Sequence, residues 1–210
     1  AANTAAKLGA RVALIEVAKT GGDCTHTGCI PSKAMINAAK KYKELKTLAS
    51  MGIELSGEAS FNMSKTQEWK NGIVKSLTSG INGLLKGNNV DRMLGNARFV
   101  GGKTLEVDKA DGTTVRIECN NLILAVGSRP IEIPPFPYSE SRILDSTKAL
   151  ALQEVPKRLA VIGGGYIGLE MGMMFAKLGS EVTVVEMADS VLALFDKEVV
   201  RVIKKSMKAL

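Results

Sequence analysis

Residues 159–186 read LAVIGGGYIGLEMGMMFAKLGSEVTVVE. A short apolar run, Leu159 to Gly163, meets a glycine turn, a proline-free stretch from Tyr166 to Leu178 follows, and a run rich in branched residues ends at Glu186. That order is strand, turn, helix, strand, the repeating unit of a parallel α/β sheet. Gly163 permits the tight turn, Gly165 lets the backbone approach a pyrophosphate, and Gly168 lets helix and strand pack closely. The helix N-terminus adds unpaired N–H groups for phosphates. Glu186, twenty-three residues after Gly163, completes a dinucleotide-binding pattern in its required context. Tyr166 and Ile167 fill the variable positions of the turn and are candidate cofactor contacts. A strand-end carboxylate accepts hydrogen bonds from a ribose 2′-hydroxyl and repels a 2′-phosphate, and residues 187–190 contain no arginine, so the pattern predicts NAD rather than NADP.

Outward from this unit, part of the same pattern recurs at the start of the chain. Ala1 to Leu8 reads as the back half of a helix, Gly9 as its stop, and Arg11 to Glu16 as a buried strand. The strand that would open this unit is expected before Ala1. Cys29 to about Ser50 is expected to be a helix, with Pro31 in its first turn and Met35, Ala38, Tyr42, Leu45 and Ala49 at helical spacing. A further helix is expected after the box Ser64-x-x-Gln67, burying Trp69, Ile73, Leu77, Ile81 and Leu84. Asp111-Gly112 between Thr104–Val107 and Thr114–Ile117 predicts a hairpin, and Asn121 to Val126 a buried strand running into Gly127. Residues 130–137 hold four of the six prolines and form a connector. Asp196 to Leu210 closes the chain as a helix.

Composition narrows the class. The 210 residues are 45% hydrophobic, 23% charged and 4% aromatic, which excludes disorder and collagen-like structure. No apolar run approaches the ~20 residues of a bilayer span, and no signal-peptide layout opens the chain, so a membrane or secreted protein is not expected. The net charge of +7 comes from lysines spread along helical segments without interleaved aromatics, which reads as a solvated face and not as a nucleic-acid surface.

The second constellation is GGDCTHTGCIPSK, residues 21–33. Cys24 and Cys29 stand just before a helix. Closing so short a loop contributes only about 2 kcal/mol in the chain-entropy model, so stability is a poor reason for the pair. A helix N-terminus favours the thiolate of an adjacent cysteine, which suits Cys29 to exchange chemistry in a reducing compartment. Two buried free thiols are the plain alternative. A zinc site lacks a second ligand pair, His26 being the single histidine, and no metal site is expected. Cys119 reads as a small buried hydrophobe.

These residues resemble the flavin-dependent pyridine-nucleotide disulfide oxidoreductases. Residues 21–33 are similar to the redox-active disulfide motif of that family, closest to its dihydrolipoamide dehydrogenase branch. Residues 122–130, LILAVGSRP, resemble the strand and turn near the end of its flavin domain, and residues 162–170 its NAD site. The resemblance implies two Rossmann-like domains with a small antiparallel β insertion, both incomplete: an FAD-binding domain over residues 1–144, lacking its first strand and phosphate loop, and the start of an NAD-binding domain over 145–210. It implies electron passage between NAD(H), FAD and a Cys24–Cys29 disulfide. Cys24 would meet a dithiol or disulfide substrate, for which a lipoyl group is expected, and Cys29 would face the flavin. Lys33 and Glu170 match a lysine and glutamate that pair near the flavin, Glu16 the carboxylate holding its adenosine ribose, and Gly22 and Gly127 belong to its surroundings. A homodimer and a cytoplasmic or mitochondrial-matrix location are further expectations, and another branch, such as a mercuric-ion or low-molecular-weight disulfide reductase, or a non-catalytic nucleotide-binding module, is the alternative. Asp23 and Val126 both depart from threonines usual in the family, and Asp23 puts local flavin contacts in question. His26 is assigned no acid-base role.

Overall fold

The computed structural model describes all 210 residues. In chain order the elements are α1 (Ala2–Lys7), β1 (Ala13–Glu16), α2 (Gly22–His26), α3 (Cys29–Leu45), α4 (Met63–Gly87), β2 (Asp91–Gly101), β3 (Thr104–Lys109), β4 (Thr114–Glu118), α5 (Ser146–Ala149), β5 (Arg158–Ile162), α6 (Tyr166–Leu178), β6 (Glu181–Val185) and α7 (Lys197–Lys208). They form two compact units, residues 1–26 with 74–129, and residues 27–73 with 130–210.

The first unit holds a four-stranded sheet in the order β1-β2-β3-β4. Strand β2 serves two partners: Asp91 to Leu94 run parallel to β1, and from Gly95 onward the strand pairs antiparallel with β3. The switch falls on Gly95, where a Cβ would lie 2.6 Å from the Asp108 carbonyl oxygen, so the close strand approach requires glycine. The expected hairpin forms between β3 and β4. Asp111 accepts hydrogen bonds from the Thr113 N–H (2.9 Å) and hydroxyl (2.6 Å), and Gly112 supplies a φ of +82°.

Two expectations fail in this unit. Strand β1 is only four residues long and is half-buried or exposed, where Arg11 to Glu16 reads as a buried strand. Asn121 to Val126 forms no strand, and Ile123, Leu124 and Val126 are exposed. An unbroken apolar run reads as a strand covered on both faces, but that outcome needs a neighbouring strand, and none of β1 to β4 pairs with this segment.

In the second unit β5 and β6 pair in parallel, register Arg158 with Glu181 through Ile162 with Val185. Helix α6 packs on both strands and against α3. Its buried Met171, Met174, Phe175 and Leu178 meet Met35 and Ala39 of α3, Met63 and Leu150 in one core. Leu169, on another side of α6, meets Val200 of α7 and Leu192, which precedes that helix, in a second.

Helix α3 stops at Leu45, short of Ser50, and a 3-10 turn covers Leu48–Met51. Its buried alanines are Ala34 and Ala39, and Ala38 is only half-buried. At the start of α4 the cap is Asn62, whose Oδ1 accepts from the Lys65 N–H at 2.9 Å, and not Ser64. Trp69, Leu77 and Leu84 are exposed. Gln67 is buried instead and donates to the carbonyls of Leu150 (3.0 Å) and Leu152 (2.7 Å), while the buried Lys70 amine donates to Leu150 O at 3.0 Å. Carbonyls just past the end of α5 thereby gain partners that an apolar side chain cannot offer. Desolvation holds the Lys70 amine below its ordinary pKa. No helix is long and apolar enough to cross a membrane.

Candidate active site

The glycine turn follows the strand-to-helix geometry its sequence requires. Gly163 has φ +102°, a conformation that strains any side-chain-bearing residue. A Cβ on Gly168 would meet Gly163 O at 2.5 Å and Val161 Cγ1 at 3.0 Å, so α6 can lie this close to β5 only with glycine there. Around Gly165 the space is open, and no side chain caps the helix at that residue. Tyr166 and Ile167 are exposed on the first turn.

Glu186 closes the turn from the end of β6. Its Oε2 accepts from the Gly164 N–H at 2.6 Å and its Oε1 from the Ala188 N–H at 2.8 Å. The Ala188 and Gly164 N–H groups hold its carboxyl below the usual carboxylate range. A Cβ on Gly164 would stand 3.0 Å from Glu186 Oε2 and 2.7 Å from Val191 Cγ1, so this buried glycine also keeps the carboxylate in place. An ionised carboxylate has about four acceptor positions. The Gly164 and Ala188 N–H groups take two of them, and capacity remains for a further donor.

In the cysteine turn Cys24 lies in the short helix α2 and Cys29 opens α3. Both residues are exposed, and they are joined in a disulfide. Pro31 and Ser32 are buried in the first turn of α3, where Ser32 donates through its N–H to Gly28 O (3.0 Å) and through Oγ to Cys29 O (3.1 Å). Lys33, one turn beyond Cys29, donates from Nζ to both carboxylate oxygens of Glu170, at 2.9 Å and 2.7 Å. The pair spans 137 positions of sequence. Its side chains are 58% and 35% exposed, so the pair is solvated rather than buried.

Two further placements concern the first unit. Glu16, half-buried at the end of β1, accepts from the Ala18 N–H at 3.1 Å. Asp23 Oδ2 accepts from the Ser128 N–H at 3.4 Å and would lie 3.2 Å from a Cβ on Gly127, whose φ is +76°. The Asp23 carboxylate thus leans on the glycine turn after residue 126. Gly22 is exposed with φ +71°. Cys119 is half-buried, and its thiol donates to Lys103 O at 3.3 Å.

Sequence reasoning missed three contacts: Gly164 with Glu186, Asp23 with Ser128, and a clasp around His26. The first had a signal, a third glycine inside the turn. The others join residues whose spacing carries no periodic pattern.

The family model for pyridine nucleotide-disulphide oxidoreductases matches residues 1–210. Dihydrolipoyl dehydrogenase of Geobacillus stearothermophilus is 47% identical over 208 residues, and that of Pseudomonas aeruginosa 44% over 213, covering 99% and 100% of this chain but 44% and 46% of those proteins. The chain therefore spans less than half the length of these relatives. Among solved structures, the HOCl-induced flavoprotein disulfide reductase RclA of Escherichia coli, determined as its Cu(II) complex, superposes with a TM-score of 0.80 at 30% identity over 99% of this chain and 44% of that one. LpdA of Mycobacterium tuberculosis shares the fold, with a TM-score of 0.88 at 23% identity over 99% of this chain and 46% of that one. With its glycine turn, strand-end carboxylate and exposed Cys24–Cys29 disulfide in one chain, the protein belongs to the pyridine nucleotide-disulphide oxidoreductases.

Proposed function

We propose that this chain is part of an enzyme that passes electrons between NAD(H), FAD and the Cys24–Cys29 disulfide, with a lipoyl dithiol as substrate. The observation that carries the reading is the disulfide itself, exposed at both cysteines and set at the start of α3. Relatives named dihydrolipoyl dehydrogenase support the substrate class. FAD, when bound, supplies the two-electron link between nicotinamide and disulfide.

The chain's own residues divide the work. In the reducing direction the Cys24 thiolate attacks a substrate disulfide, forming a mixed disulfide and releasing one substrate thiolate. Cys29 then attacks the Cys24 sulfur, expels the second thiolate and restores the Cys24–Cys29 bond. Glu170 fixes the Lys33 ammonium through two hydrogen bonds and sets its charge beside α6, whose first turn receives the nicotinamide dinucleotide. Gly163, Gly165, Tyr166, Ile167 and Gly168 cradle its phosphates, and Glu186 takes its adenosine ribose. Glu16 takes the adenosine ribose of FAD, near Gly22 and Gly127. On this reading residues 1–144 belong to an FAD-binding domain and residues 145–210 to an NAD-binding domain. The parent protein works as a homodimer in a reducing compartment, the cytoplasm or the mitochondrial matrix.

The test is NAD⁺ reduction by dihydrolipoamide in the full-length, FAD-loaded protein. Cys24→Ser and Cys29→Ser should each abolish it, and NADP⁺ should be a poor acceptor. Full activity in either cysteine variant, or a preference for NADP⁺, defeats the reading.

A further inference from the structure

His26 lies two residues after Cys24, and its role is legible only in the structure. Its Nε2 stands 3.0 Å from Thr20 O. A carbonyl only accepts, so Nε2 carries the proton and His26 donates. Thr25, its neighbour, donates from Oγ1 to Gly21 O at 2.9 Å. Both acceptor carbonyls belong to the turn that enters α2, and Thr20 and Thr25 are buried. The turn is packed to its limit: a Cβ on Gly21 would meet Thr25 Cβ at 3.1 Å and His26 Nε2 at 3.2 Å, and Gly21 holds φ +130°. The two side chains directly after Cys24 therefore reach back past it and grip the chain that precedes it.

We propose that His26 is a positioning residue for the redox pair: its hydrogen bond to Thr20 O holds the turn that carries Cys24 and so raises the effective concentration of the Cys24 thiol toward Cys29. This rests on the reading of Cys24 and Cys29 as the exchanging thiols. The physical ground is an asymmetry in how the two ends are held. Cys29 begins a seventeen-residue helix whose first turn is buried at Pro31 and Ser32. Cys24 sits in a five-residue helix, far too short to persist by its own hydrogen bonds. Its order must come from contacts such as the clasp. Without the His26 bond the reduced turn samples more conformations, fewer of which present Cys24 for closure, and the disulfide becomes easier to reduce.

The experiment measures the Cys24–Cys29 reduction potential in the full-length, FAD-loaded protein. Samples equilibrate in dithiothreitol redox buffers, are acid-quenched and alkylated, and the mass of the Cys24–Cys29 peptide is read, so no turnover enters. His26→Met and His26→Gln are near in shape, but only glutamine can donate to Thr20 O. His26→Met should lower the equilibrium constant for disulfide formation about fivefold, about 20 mV toward easier reduction at 29.6 mV per tenfold. His26→Gln should stay within about twofold of the parent. If His26→Met does not fold, Thr25→Val, which removes only the partner hydrogen bond, should shift the potential in the same direction. An unshifted potential in the folded variant, or a glutamine variant shifted as far as the methionine one, overturns the proposal. A parent protein with a normal disulfide titration but no lipoyl activity defeats the functional reading alone.

Discussion

Residues 5–18, AAKLGARVALIEVA, and residues 175–188, FAKLGSEVTVVEMA, are identical at seven of fourteen positions and fold alike. Each ends a helix on a left-handed glycine, Gly9 at φ +91° and Gly179 at φ +105°. The closing bonds also match: Gly9 N–H to Ala6 O at 3.0 Å and Ala10 N–H to Ala5 O at 3.1 Å, against Gly179 N–H to Ala176 O at 3.1 Å and Ser180 N–H to Phe175 O at 3.0 Å. A glutamate at the end of β1 and another directly after β6 each accept the N–H two residues on, from Ala18 and Ala188. The differences begin with long-range partners. Leu8 is 84% exposed and Leu178 only 7%, in the core with Met35 and Phe175. Glu186 also accepts from the Gly164 N–H, a residue 22 positions away. A short sequence can set its own hydrogen bonds, whereas burial and ligand geometry depend on what the rest of the chain brings to it.

The contrast can be broken most directly at the two leucines. In the chain of residues 1–210, Leu178→Ala should cost about 2–5 kcal/mol of unfolding free energy in urea, and Leu8→Ala should stay within about 0.5 kcal/mol. Comparable losses would remove the distinction drawn from burial.

The two glutamates come next. Glu186→Ala should weaken NADH binding by about 10- to 100-fold, as loss of hydrogen bonds to a charged acceptor implies, measured by NADH fluorescence titration. Glu16→Ala should leave NADH affinity unchanged. A similar loss in both variants would show that the strand-end glutamates are not specialised.

Acid sensitivity sharpens the same pair. The folded carboxyl of Glu186 is held low by the Ala188 and Gly164 N–H groups, so it contributes stability that is fully present above the ordinary carboxyl pKa and lost as pH falls through the lowered folded value. The urea midpoint should therefore carry no Glu186 contribution to its slope through the neutral range, and the parent should lose more than Glu186→Gln on acidification below the ordinary carboxyl value. Parallel profiles for parent and variant throughout the acid limb would refute the attribution.

The smallest effect is expected at Lys33 and Glu170. Their pair is solvated, so a double-mutant cycle in urea should give a coupling below about 1 kcal/mol. A coupling of several kcal/mol would mean that the pair is shielded from water in solution.

Much of this molecule is written locally. The glycine stops, the Asp111-Gly112 hairpin, the boundaries of α6 and the turn from Gly163 to Gly168 follow from backbone freedom and side-chain spacing within a few residues. Cys24 and Cys29, close together just before a helix, likewise read locally as a candidate for exchange chemistry, with two free thiols as the alternative. Tertiary structure decided the rest. It left Asn121 to Val126 exposed although the run is apolar, because a strand exists only beside a partner that supplies its hydrogen bonds. It buried Gln67 and Lys70 in place of Trp69, because carbonyls past the end of α5 needed donors. It brought Gly164 to Glu186 and Thr20 to His26, contacts set by angles at turns that no periodicity records. Hydrophobic pattern reports which face of an element is apolar, and only the assembled chain determines what each polar group meets.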